Sequence, residues 1–150
     1  MMSKNYSADP KQVIIIRTDT EPKMRKGKMI AQGAHASMKV VLDMMPIEPT
    51  LKFNEGSESY EEYISRTLLV RKDGILDKWV NGVFKKVVVG ASKDELIKCY
   101  QEARRQGVLS ALIEDKGLTE FGGEVTITAC AIGPAYPEDI DPITGHLNLL

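Results

Sequence analysis

Val13-Ile14-Ile15-Ile16 leads through a short loop carrying Lys23, Arg25 and Lys26 into Gly27-Lys28-Met29-Ile30-Ala31-Gln32-Gly33-Ala34-His35-Ala36. The first run is β-branched and apolar between polar neighbours, the pattern of a buried strand over Gln12–Arg17. The second follows a helical period over Gly27–Met45, and Pro46 and Pro49 end it. Lys28, Gln32 and His35 are offset by four and then three. At about 100° per residue they line up along one side of the helix. Ile30, Ala34, Met38, Val41 and Met45 take the opposite side, which is assigned to the core. Ala31, Gly33, Ala34, Ala36 and Ser37 are small enough to bring such a helix close to a sheet. A helix opening on Gly-Lys leaves backbone N–H groups free at the positive end of its dipole. With Lys23, Arg25 and Lys26 beside it, that end suits an anion such as phosphate.

Working outward, Phe84–Val89 and Val108–Ile113 read as further buried strands and Val125–Ile132 as a fourth. Ser92 followed by Glu95 makes a capping box for a helix over Lys93–Gln106, closed by Gly107. Strands alternating with helices imply parallel crossovers for the first three strands. Lys116–Glu124 is too short for a crossover helix, so the last strand runs antiparallel. Together these give an α/β fold of three layers, a small mixed four-stranded sheet flanked by helices. Residues 46–82 are the least regular part and read as a variable insert. Within them Tyr60–Val70 is assigned to a helix capped by Ser57 or Ser59. Lys72-Asp73-Gly74 is a turn, and Asp77–Asn81 is a helical turn around Trp79.

At 150 residues the chain is expected to form one domain, residues 1–150, with 1–11 as a flexible lead. No apolar run approaches the ~20 residues of a membrane span, and the polar N-terminus lacks a signal-peptide core. A cytoplasmic protein with no membrane partner is expected. Cys99 and Cys130 form no CxxC and no metal spacing, and are read as buried thiols. Residues 1–40 hold eight Lys and Arg against three Asp and Glu, although the whole chain has a net charge of -1. Such a local surplus suits a phosphate backbone, or else is solvated charge.

In open α/β sheets ligands bind beyond the carboxyl ends of the parallel strands. Thr18–Lys28, Gly90–Ser92 and Asp115–Gly123 lie there, so the Lys28 stripe is expected to face the Asp115 loop. Asp115-Lys116-Gly117-Leu118-Thr119-Glu120 puts a carboxylate at a strand end, a glycine in the turn, and a hydroxyl four residues after the acid. Lys28 near Asp115 would orient a water and stabilise charge on a carbonyl oxygen. The bland alternative is an Asp turn bonding its own loop. Other nucleotide and hydrolase motifs fail: a P-loop needs Gly at 22 and Ser or Thr at 29, where Pro22 and Met29 stand, and no Gly-x-Ser-x-Gly exists.

The chain resembles the type II peptidyl-tRNA hydrolases. The resemblance is carried by Ile16-Arg17-Thr18-Asp19, Lys26–Ala36, Lys86–Val89, Ala111–Asp115, Ala131–Ala135 and Asp141-Pro142-Ile143-Thr144-Gly145-His146-Leu147-Asn148-Leu149-Leu150. It implies hydrolysis of the ester between a peptide and the 3′-terminal ribose of tRNA, without metal or organic cofactor. tRNA is the implied partner, DNA is not, and a homodimer is expected. By position the resemblance assigns catalysis to Lys28, Asp115, Thr119 and His35, and substrate binding to Gln32, Lys26, Arg25 and Lys23. Asp115 would orient or deprotonate water, Lys28 would stabilise the oxyanion or a nearby phosphate, and Thr119 would position water or ester. The family's usual loop reads Asp-Ala-Gly-Arg-Thr-Gln, whereas Leu118 and Glu120 stand here. The Leu118-Thr119-Glu120-Phe121-Gly122-Gly123 loop and the enlarged middle resemble a bacterial-looking branch. The alternative from another class is a non-catalytic tRNA- or protein-binding module on the same fold.

Overall fold

The computed structural model describes residues 6, 8–118 and 120–150. Its central sheet holds β1 (Lys11–Arg17), β4 (Lys85–Ala91), β5 (Ser110–Asp115) and β6 (Thr126–Ala135), in the order β4-β1-β6-β5. β1 and β4 pair parallel, while β6 runs antiparallel to both β1 and β5. The first three sheet strands in the chain therefore share one direction and the last opposes them, as the connection lengths predict. Asn148 and Leu150 complete the open edge of β4: Gly90 N–H donates to Asn148 O at 3.0 Å, and Leu150 N–H to Val88 O at 3.2 Å.

One face of the sheet is covered by α1 (Lys26–Asp43), through Ile14, Ile16, Ala111, Ala129 and Ala131 against Ala36 and Val40. The other face packs Val13, Ile15, Cys130 and Ile132 against α3 (Lys93–Arg105) and α4 (Pro137–Thr144). Ser92 accepts from Glu95 N–H and its own N–H donates to the Glu95 carboxylate, so the capping box that opens α3 is formed. Cys99 and Cys130 are free and buried.

The buried side of α1 differs from the expected one. Ile30 is 74% and Met38 57% exposed, and Ala34 is also exposed. Burial falls instead on Gln32, Gly33, Ala36, Ser37 and Val40. The physical reason is closeness: a Cβ on Gly33 would stand 3.4 Å from both Ile14 Cγ2 and Ile16 Cδ1. Only the line of small side chains fits against the equally small Ala111, Ala129 and Ala131. Lys28 and Gln32 thus run along the border of the core rather than opposite it. The helix also starts one residue earlier than the Gly27 predicted, with Arg25 as an N-cap that makes no side-chain cap.

The insert divides in two. The helix assigned to Tyr60–Val70 is absent. β2 (Glu48–Asn54) and β3 (Ser59–Ser65) form an antiparallel hairpin there. Glu48 to Asn54 alternates with a period of two, whereas Tyr60, Tyr63 and Ile64 keep helical spacing, and cross-strand pairing with β2 overrides it. The second half folds into the body: α2 (Ile75–Val80) buries Trp79 completely, matching the turn predicted around that residue. α4, at Pro137–Thr144, was not predicted.

Candidate active site

At the carboxyl end of β5 a cleft of about 310 Å³ opens between α1 and the loop that follows Asp115. Lys28, Gln32 and His35 line one wall and Ile113, Glu114, Asp115, Lys116 and Leu118 the other. The expected meeting of the helix stripe with the Asp115 loop is therefore present in the fold. Lys28 Nζ donates to Asp115 Oδ2, with the two side chains 14% and 12% exposed. Gln32 Nε2 donates to the same oxygen at 3.3 Å, and Gly117 N–H donates to Oδ1 at 2.7 Å. The Lys28 hydrogen bond holds the Asp115 carboxyl below its ordinary value. Burial opposes this, and the Gly117 N–H and the charges of Lys28 and His35 add to it.

Gly117 adopts φ +73°, where a side chain is strained, and a Cβ there would also collide with the backbone of Glu124. That turn aims the Gly117 N–H at Asp115. The bland reading of Asp115 as a loop-bonding turn residue is thus true of one carboxylate oxygen, while the other is engaged by α1.

Sequence reasoning missed Thr128. In β6 the register steps from Ile113 opposite Ala129 to Glu114 opposite Ile127, which leaves Thr128 as an extra residue. Such a bulge inverts the alternation: Ala129 and Ala131 face α1, whereas Ile127 packs on the opposite core. The Thr128 hydroxyl donates to Gln32 Oε1 at 2.5 Å, which fixes the amide so that its NH₂ points at Asp115. The available signal was Thr126-Ile127-Thr128, but a period-two reading does not reveal a bulge. Phe121, 6% exposed, is likewise new, with its ring centroid 5.9 Å from Lys28 Nζ.

His35 lines the cleft from an exposed position and touches Asp115 through charge alone among the described residues. Lys23, Arg25 and Lys26 are exposed around the uncapped start of α1. Arg25 Nε lies 3.5 Å from Glu120 Oε1, and the Glu120 side chain is only 14% exposed. The carboxylate that replaces the family's usual Gln is thus turned inward against a guanidinium instead of facing the solvent. Leu118 stands on the cleft wall, 85% exposed. Thr119 lies outside the described residues. Among those described, no three His, Cys, Asp or Glu side chains gather as metal ligands, and no helix is long and apolar enough to cross a membrane.

The cleft thus holds a carboxylate kept ionised beside an ammonium, with Lys23, Arg25 and Lys26 exposed around the start of α1. The chain belongs to the peptidyl-tRNA hydrolase PTH2 family, whose model matches residues 10–150. Its activity is that of a peptidyl-tRNA hydrolase. It is 38% identical over 141 residues to a peptidyl-tRNA hydrolase of Methanocaldococcus jannaschii, covering 93% of this chain and 99% of the relative. A peptidyl-tRNA hydrolase of Staphylothermus marinus is 37% identical over 140 residues, covering 93% and 94%. A solved structure of a protein of unknown function from Agrobacterium superposes with a TM-score of 0.54 at 14% identity, over 95% of this chain and 98% of that one, a likeness of fold.

Proposed function

We propose that the Lys28–Asp115 cleft cleaves the ester joining a peptide, or an N-blocked aminoacyl group, to the 3′-terminal ribose of tRNA. The observation that carries this reading is the Lys28 ammonium joined to the Asp115 carboxylate beside open space. A carboxylate with a depressed pKa is a poor base in the ground state. Its part is to orient a water and accept the water's proton as the oxygen bonds the carbonyl carbon. Lys28 neutralises the oxyanion that forms. When the acyl–oxygen bond breaks, the proton passes to the departing ribose oxygen, leaving a free peptide acid and tRNA with its terminal hydroxyl restored. Thr119 positions the water or the ester. His35 supports the catalytic pair, Gln32 holds the Asp115 carboxylate in place rather than touching substrate, and Lys26, Arg25 and Lys23 hold the acceptor end. The whole chain works as one domain, in the cytoplasm, as a homodimer of the branch carrying the Leu118–Gly123 loop.

The direct test is release of free tRNA from N-acetyl-aminoacyl-tRNA by the purified protein, with multiple turnovers expected. Folded protein that binds this substrate at high concentration without releasing tRNA would overturn the reading in favour of a binding module.

The pairing also sets a pH dependence. Asp115 has a folded pKa below its unfolded value of about 3.9. The stability that its charge contributes is therefore fully present above about pH 4 and is lost as pH falls through the lower folded value. In Lys28→Ala the largest depressing cause is gone, so the Asp115 titration moves up. Carboxyl-detected NMR titration of both proteins reads this directly, and an unmoved Asp115 contradicts the pairing.

A further inference from the structure

The central sheet has two edges, and the chain treats them differently. Along β4 the C-terminal residues close the edge, with Val89 bridged to Leu149. In the order β4-β1-β6-β5 the strand at the other edge, β5, pairs only with β6. Among the described residues, no main-chain group outside the sheet bonds the backbone of residues 110–114. Exposed edges are commonly blunted by lysine, proline or an inward-pointing charge. Ser110-Ala111-Leu112-Ile113 carries none of these.

The ladder fixes which groups are free. Gly133 N–H donates to Leu109 O at 2.7 Å, and Ser110 stands opposite Ile132. The alternation of an antiparallel pair then makes Ala111 and Ile113 the residues bonded to Ala131 and Ala129. Ser110, Leu112 and Glu114 turn their N–H and C=O to the open side. The extra residue of the bulge lies on β6, so the alternation along β5 continues unbroken. This edge leads into the catalytic cleft. Ile113, Glu114 and Asp115 stand on one wall of it, and Lys28, Gln32 and His35 face them from α1.

We propose that the open edge of β5 receives the peptide part of the substrate as an added strand. This rests on the ester-cleaving reading above, because the bond cut there lies at the peptide's carboxyl end. The direction follows from it. The ester is held at Asp115, the last residue of β5, and the tRNA takes the side where Lys23, Arg25 and Lys26 are exposed. The peptide therefore runs back from Asp115 toward Ser110, parallel to β5. In a parallel pair, the peptide residue opposite Ile113 donates to Leu112 O and accepts from Glu114 N–H. The residue two before it donates to Ser110 O and accepts from Leu112 N–H. The residue between them makes no bond to the main chain of β5. From Lys28 to His35 the α1 wall spans about 10 Å, the length of about three strand residues. Strand addition takes its affinity from main-chain hydrogen bonds and so does not depend on the peptide's sequence.

Kinetics of the wild-type protein on two substrates test this: N-acetyl-alanyl-tRNA and tRNA carrying an N-acetylated tetra-alanyl group. The longer peptide is expected to raise kcat/KM about tenfold or more, the scale of two main-chain hydrogen bonds. Methylating one peptide nitrogen at a time should cancel much of that gain at alternate residues and spare the residues between. Glu114→Pro removes one donor from the edge, where proline is tolerated, and should lower the ratio of long to short substrate several-fold. A ratio taken within one protein is insensitive to general damage by the substitution. No release from either substrate overturns the ester reading and strand addition with it. Release at equal kcat/KM from both overturns strand addition alone. A gain that ignores methylation, or that yields to it equally at every residue, overturns main-chain pairing.

Discussion

Lys28→Ala is expected to lower kcat on N-acetyl-aminoacyl-tRNA by about 10²-fold or more, the scale for removing a group that stabilises an oxyanion. The chain should stay folded. Asp115 retains Gln32 Nε2 and the Gly117 N–H as donors, and Lys28 is not itself a member of the apolar clusters. Asp115→Asn keeps the shape of the side chain and removes its charge, and should cost a similar factor. Lys28 and Asp115 act as a pair, so the double variant should fall little below the worse single one. The kinetic split separates two roles for the lysine. An oxyanion role lowers kcat, whereas a role confined to holding tRNA phosphate raises KM and leaves kcat alone. Near wild-type kcat in both single variants would remove the pair from the chemistry.

Much of this site is legible in the sequence because its parts are local. The offsets of Lys28, Gln32 and His35 on one helix follow from the helical period. The loop after Asp115 follows from a strand meeting a glycine turn. Their convergence follows from parallel connectivity, which puts strand ends and helix starts on one edge. What the sequence conceals depends on contacts between distant elements. The buried side of α1 is chosen by the closeness of Gly33 to Ile14 and Ile16, and hydrophobicity alone points the wrong way, to Ile30 and Met38. Thr128 reaches Gln32 because β6 bulges by one residue, a shift that depends on the pairing with β5. β3 carries Tyr60, Tyr63 and Ile64 at helical spacing, and only its pairing with β2 makes it a strand.

Trp79→Ala carries the second large effect, this time on stability. The indole is fully buried, its N–H donates to Lys85 O at 2.9 Å, and its ring centroid is 4.5 Å from that of Phe84. Lys86 Nζ sits 5.0 Å from the same ring, and burial pushes the Lys86 pKa down. Truncation removes the packing and leaves a cavity under the start of β4, for a loss of about 3–5 kcal/mol. In a domain of this size that lowers Tm by roughly 10 °C or more. Trp79→Phe keeps most of the packing and strands the Lys85 carbonyl, so its cost should be smaller, about 1–2 kcal/mol. Urea titration followed by circular dichroism at 222 nm measures both, since the single tryptophan is lost as a fluorescent reporter. The comparison with the hairpin gives the result its meaning. Phe53 and Ile64 lie in the same insert, yet are exposed in their own chain, so at monomer concentrations their substitution should cost far less than that of Trp79. Equal costs at the two places would mean that the insert behaves as one unit. The expected gap means that residues 75–84 belong to the folded body, while β2 and β3 pair chiefly with each other.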